Sequence, residues 1–240
     1  MRYLLMLLMG LMTFGLANAQ EISGEELLDR ALAFHNPSGR WEKAELQLTI
    51  DMETPGRPVR RSQLTIDNEA STFYIKILNR GNLSEFWVDA NDSTRALYNF
   101  MAPTDSIQAD SLNLTPERAL RWRNYYSYLY GLPMKLNDPG TKIDPVVQRT
   151  QFLNQEVLAL KATYDAEVGS DIWYFYFHPE TYAMVGYRFY HDEAANDGEY
   201  IVLEGLEIKN GIRIPKNRTW YTNAEDRLLG TDYLIDLKVK

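Results

Sequence analysis

The chain has 240 residues, 45 % of them apolar and none of them cysteine, and its 25 basic against 33 acidic residues leave a formal charge of −8. That composition is enough for one sizeable packed core, and it excludes disulfides, a thiol nucleophile and a thiolate metal site. An acidic balance without a local basic cluster in the sequence also disfavours nucleic acid and anionic membrane surfaces as partners.

The first element is a leader. Met1, Arg2 and Tyr3 precede an apolar run from Leu4 to Leu16, and Ala17-Asn18-Ala19 then gives the small-residue pattern of a peptidase site. The run is shorter than the roughly 20 residues that span a bilayer. The pattern predicts a cleaved secretory signal over residues 1–19, and no cysteine follows it to carry a lipid anchor. What remains, residues 20–240, reads as one domain acting in the periplasm or outside the cell, without stable membrane insertion and as a monomer.

Ser23-Gly24-Glu25-Glu26 is a capping box ahead of Leu27, Leu28, Ala31, Leu32 and Phe34 at helical spacing. Asn36-Pro37-Ser38-Gly39 stops that helix. From Trp41 the period becomes two, apolar Ala44, Leu46, Leu48, Ile50 and Met52 alternating with polar neighbours, which predicts a strand with one wet face. Strand-like runs follow near 59–67, 72–79, 84–89 and 94–100, separated by short polar turns. Thr115-Pro116-Glu117 reads as N-cap, first-turn proline and acidic first turn, predicting a second helix to about Tyr130, before Gly131 and Pro133. Strands resume near 146–153, 156–165, 171–178, 183–191, 199–209, 212–222 and 228–239. In the last of these, Leu229, Thr231, Tyr233, Ile235, Leu237 and Val239 are expected on one face.

The fold class is therefore mainly β, α+β: about twelve antiparallel strands in one large curved sheet, an unclosed half-barrel with a leading helix and a mid-chain helical insertion as lid.

Motifs for chemistry are scarce. His178 with Glu180 and His191 with Asp192 and Glu193 resemble metal-ligand pairs, but Pro179–Tyr182 reads as a turn, so the two histidines stand at opposite ends of a hairpin, roughly 26 Å apart. The acidic loop Asp192, Glu193, Asn196, Asp197 and Glu199 lacks EF-hand spacing. Asp89 and Asp92 read as turn formers rather than an acid–base pair. No nucleophile elbow, zinc-protease helix or phosphate-binding glycine loop is present. The expectation is no metal, no cofactor and no catalytic residue.

Aromatic residues carry more information. Trp173-Tyr174-Phe175-Tyr176-Phe177 puts aromatic rings on both faces of one strand, so both faces need cover. The second helix carries Trp122, Tyr125, Tyr126, Tyr128, Leu129 and Tyr130 around more than half its circumference. Either the helix simply fills the hollow of the sheet, or helix and sheet enclose an apolar cavity for a lipid, an acyl chain or a similar ligand. Candidate lining residues in the second case are Trp122, Tyr126, Leu129, Phe175 and Phe177.

This order of elements resembles the LolA/LolB-like group of periplasmic lipoprotein carriers. His178-Pro179-Glu180-Thr181-Tyr182-Ala183-Met184 is similar to the D-P-x-T-x-x-[LP] hairpin of that group, with His178 in place of the aspartate, and Asn210-Gly211-Ile212-Arg213-Ile214-Pro215 is similar to its N-G-x-x-[IL]-P turn. His178 to His191, with Gly198-Glu199-Tyr200, Gly205 and Trp220, looks typical of an uncharacterised family of secreted bacterial proteins. The resemblance implies a half-barrel with a helical lid and a soluble carrier whose partner is a hydrophobic small molecule or a lipid-modified protein. A non-catalytic structural or protein-interaction module of the envelope is the alternative, and a hydrolase with an unrecognised site a third.

Overall fold

The computed structural model describes residues 22–240; the leader and its cleavage site lie outside the described residues. Helix α1, Gly24–His35, starts where the capping box places it, with the Glu26 N–H donating to Ser23 Oγ at 3.2 Å. Leu27, Leu28 and Ala31 are its buried stripe, and His35 at its last turn is buried with them.

The first antiparallel block comprises β1 (Glu45–Glu53), β2 (Arg60–Asp67), β3 (Thr72–Asn79), β4 (Asn82–Val88) and β5 (Thr94–Tyr98). Asp89 closes the β4–β5 turn by accepting from the N–H groups of Asn91 and Ser93, and Asp92 pairs with Arg123. A short helix α2 (Ser106–Ser111) follows, which sequence periodicity did not reveal because it buries none of its residues. Helix α3 (Pro116–Gly131) begins with Thr115 accepting from the Arg118 N–H.

The second block is β6 (Thr141–Ile143), β7 (Gln148–Phe152), β8 (Gln155–Tyr164), β9 (Ile172–Phe177), β10 (Met184–Tyr190), β11 (Glu199–Lys209), β12 (Ile212–Thr222) and β13 (Leu228–Val239). Together they make a 13-stranded antiparallel sheet in the order β5-β4-β3-β2-β1-β13-β12-β11-β10-β9-β8-β6, with β7 also on β8. Pairing of β1 with β13 joins the two blocks, while β5 and β6 remain edges, so the sheet does not close into a barrel. β6, three residues long, is the strand beyond the twelve expected.

Both main helices pack on one face: Leu27 and Ala31 of α1 and Ala119, Tyr126, Leu129 and Tyr130 of α3 share a single core with inward residues of the sheet. The twice-aromatic strand is explained by a second, smaller core on the opposite face. Phe175 and Phe177 of β9 point into the main core, while Tyr176 stacks under Phe152 of β7 with ring centres 4.3 Å apart. Gly186 makes room for that cover, since a Cβ there would lie 2.3 Å from Phe152 Cε1.

β13 departs from strict alternation. Thr49 faces Asp236 but Ile50 faces Leu234, so Ile235 is an inserted bulge residue and is 54 % exposed. One extra residue inverts the parity of a strand. Leu237 and Val239 therefore point inward with Leu234 and Asp232, and the face expected to run unbroken from Leu229 to Val239 is split.

Candidate functional site

Helix α3 fills much of the hollow but not all of it. Around its C-terminal half a cavity of about 910 Å³ remains. Tyr125, Tyr128 and Leu129 of α3 form one wall, and Tyr164, Trp173, Phe189 and Trp220 from β8, β9, β10 and β12 form the other. Tyr125 stacks on Trp220 with ring centres 6.1 Å apart, so helix and sheet touch there, and Trp173 stacks on Phe189 at 4.9 Å within the sheet wall. The Tyr128 and Tyr164 hydroxyls hydrogen-bond to each other, and burial pushes the Tyr164 phenol up to about 12, so both stay neutral. At the rim, Lys135 pairs with Asp138, and Val168 is 58 % exposed, which opens the cavity to solvent. The wall also contains Glu199, whose carboxyl is raised by burial and drawn back by His191.

Of the five residues read from the sequence as lining, Leu129 borders this cavity. Tyr126, Phe175 and Phe177 are sealed in the core at 0 % exposure, and Trp122 is half-buried nearer the start of α3, against Arg60 and Arg118. Helical and strand periodicity locate an apolar face but not the place along it where packing stops. Tyr128, Trp173, Phe189 and Trp220 are legible as aromatics, but that they border open volume is not.

His178 and His191 have separate partners at the two ends of the β9–β10 hairpin. His178 Nδ1 accepts from the N–H groups of Glu180 and Thr181 and so shapes the turn. His191 Nδ1 lies 2.7 Å from Asp171 Oδ1, a hydrogen bond that raises the imidazole above its ordinary value. In the acidic loop, Asp197 accepts from the N–H groups of His191 and Asp192, the geometry of a closed turn.

Beneath α3 lies a buried polar cluster that the sequence reading missed. Arg218 of β12 and Asp232 of β13 are register partners, both fully buried. The Arg218 guanidinium lies 3.8 Å from the centre of the Tyr130 ring and donates to the carbonyls of Pro215 at 2.9 Å and Leu129 at 3.3 Å. Both Asp232 oxygens, Arg218 Nε, Arg60 Nε, Trp220 Nε1 and the hydroxyls of Tyr130 and Tyr187 are buried without a hydrogen-bond partner. Burial pushes the Asp232 carboxyl up, against the pull of Arg60 and then Arg218. Native interiors hold few such atoms, and each costs on the order of 1–3 kcal/mol. Trp220 belongs to this cluster and to the cavity wall at once.

Comparison with solved structures places the fold. The chain resembles a LolA superfamily protein from Nitrosomonas europaea at 10 % identity and a TM-score of 0.52, covering 90 % of this chain and 93 % of that one. It resembles a putative outer membrane lipoprotein-sorting protein domain from Vibrio parahaemolyticus at 11 % identity and a TM-score of 0.54, over 90 % and 92 % of the two chains. A DUF1329 family protein from Desulfovibrio piger is similar at 8 % identity and a TM-score of 0.51, over 90 % and 93 %. At such identities the likeness is one of fold, and it agrees with the LolA-like topology read from the order of elements. No curated protein matches. A family model described as a family of unknown function, DUF6503, matches residues 2–237.

Proposed function

The chain belongs to the family of unknown function DUF6503, and we propose that it is a non-enzymatic periplasmic binding protein or carrier for an amphiphile, a lipid or the acyl part of a lipoprotein. The observation that carries this reading is the cavity of about 910 Å³ between α3 and the sheet, with an aromatic patch on its wall and charged and polar residues such as Asp67, Arg123 and Asp171 around it. Its volume lies within the range of small-molecule sites, roughly 300–1,000 Å³. The aromatic side chains of Tyr125, Trp173, Phe189 and Trp220 suit contact with an alkyl chain, and the Tyr128–Tyr164 hydroxyl pair and rim charges suit a polar end. A lipoprotein-sorting description for one structural relative accords with a lipid-facing role. Among the described residues no helix is long and apolar enough to cross a membrane, and the leader pattern accords with export.

Titration with a fluorescent fatty-acid probe tests the assignment to this cavity. Thr141 of β6 borders it, is half-buried, and pairs with Tyr164 across the strands. Thr141→Trp fills part of the volume while suiting a strand position. Saturable binding by the wild-type protein, weakened about tenfold or more in the variant at unchanged thermal stability, is the expected result. Equal binding by the two proteins would place the probe elsewhere.

A further inference from the structure

Two arginines stack on Trp122 in the N-terminal half of α3, a third stands beside them, and none of the three forms an ion pair among the described residues. The Arg118 guanidinium lies 4.5 Å from the centre of the Trp122 ring, and that of Arg60, reaching in from β2, lies 5.2 Å from it. Arg60 is steadied by donating to Tyr126 Oη at 3.2 Å. Arg121 is exposed on the next turn of α3, close enough that its charge acts on Arg118. Burial first, then the positive charges of Arg121 and Arg60, draw the Arg118 guanidinium below its ordinary range. Their chain neighbours are paired: Arg61 with Asp51, and Arg123 with Asp92.

The acids nearby do not serve as their partners. Glu117 is exposed, and its carboxyl is drawn down by its own backbone N–H and by Thr115, at the helix start. Asp232, deeper in the sheet, feels the charge of Arg60, but neither of its oxygens accepts a hydrogen bond from it. Arg118 also sits at the third helical position, where the helix dipole opposes a positive charge. Like charges held together at the positive end of a helix, in a chain of net charge −8, oppose one another unless an anion joins them. Stacking on an indole face holds guanidinium forks in place, ready for the oxygens of a phosphate.

We propose that Arg60, Arg118 and Arg121 around Trp122 form a binding site for a phosphate group, carried by a lipid head group or by a free phosphate ester. None of these four residues borders the cavity, so the site stands or falls independently of amphiphile binding there. The cluster was not legible as a basic run because Arg60 is 58 positions before Arg118 in the chain.

Calorimetric titration of the full-length mature protein at low salt tests this with two probes. One is inorganic phosphate; the other is phosphatidylcholine vesicles with and without phosphatidylglycerol. The wild type should bind phosphate, or the phosphatidylglycerol vesicles in preference to phosphatidylcholine alone, and Arg118→Gln/Arg121→Gln should bind at least about tenfold more weakly. Phosphate binding without vesicle binding identifies a soluble phosphate ester as the source, and the reverse identifies a lipid head group. Removing mutually repelling charges should also leave the double variant no less stable than the wild type. Should it fail to fold, Arg121→Gln alone, at an exposed position, provides the comparison. Absence of binding to both probes, or equal binding by wild type and variant, overturns the proposal.

Discussion

His35→Ala is expected to cost the fold about 3–5 kcal/mol, enough to remove a large part of the stability of a single domain. His35 is fully buried at the end of α1 and joins three elements. The Met184 N–H of β10 donates to Nε2 at 3.0 Å, so Nδ1 carries the proton and donates to the Arg213 carbonyl of β12 at 2.8 Å. Alanine leaves both backbone groups without that partner and opens a void as well. The same residue sets an acid limit. Burial, with a smaller contribution from the Arg213 charge, pulls its imidazole from 6.5 down to about 4. The unfolded chain therefore takes up a proton near pH 6.5 that the folded chain refuses until about pH 4. Stability from this residue is complete above 6.5 and declines as pH falls to about 4, by about 3 kcal/mol in total. His191 acts in the opposite sense, since Asp171 raises its imidazole in the fold, so denaturant unfolding is best followed in a His191→Gln background. A flat profile between pH 7 and 4.5 in that background would contradict the assignment.

Arg218 and Asp232 should respond in opposite directions although they are register partners. Arg218→Met removes the donor to the Pro215 and Leu129 carbonyls and the cation on the Tyr130 ring. It also leaves the Asp232 carboxylate buried beside one positive charge fewer, and the expected loss is about 3–5 kcal/mol. Asp232 accepts no hydrogen bond, and its environment favours the neutral form in spite of two nearby arginines. A carboxyl raised in the fold contributes fully only below its ordinary value and loses that contribution as pH rises through the folded value. Asp232→Asn should therefore gain about 1 kcal/mol at pH 7, the gain shrinking toward pH 4 as the wild-type residue takes up its own proton. A substantial loss on Asp232→Asn at pH 7 would show that the carboxylate is an ordinary structural partner. A gain would mean that the chain keeps a destabilising acid next to its cavity wall, the pattern of a residue retained for function.

Much of this architecture is visible in the amino acids because local chemistry decides it. Ser23 and Thr115 cap their helices as their side chains dictate, Asn210 and Gly211 adopt the positive φ angles of a tight hairpin, and the alternation from Ala44 marks β1. The features that escaped are those set by long-range packing. The bulge at Ile235 turns Asp232 inward, and only pairing with β1 reveals it. Phe152 covers the outer face of β9 from a strand that the pattern marks no differently from its neighbours. Tyr126, Phe175 and Phe177 have the composition of a ligand wall and form the core, whereas Trp173 and Phe189, on the same strands or next to them, border open volume. That distinction depends on where α3 stops touching the sheet. Periodicity in a single chain does not encode it.

The central claim, an amphiphile held between α3 and the sheet, is tested most directly by gentle purification from the cells that make the protein, followed by solvent extraction and mass spectrometry. A lipid or acylated species in stoichiometric amount with the wild type, and much reduced with Thr141→Trp prepared identically, is the expected result. An extract free of amphiphile from both proteins, alongside a cavity that takes up only water, would contradict it.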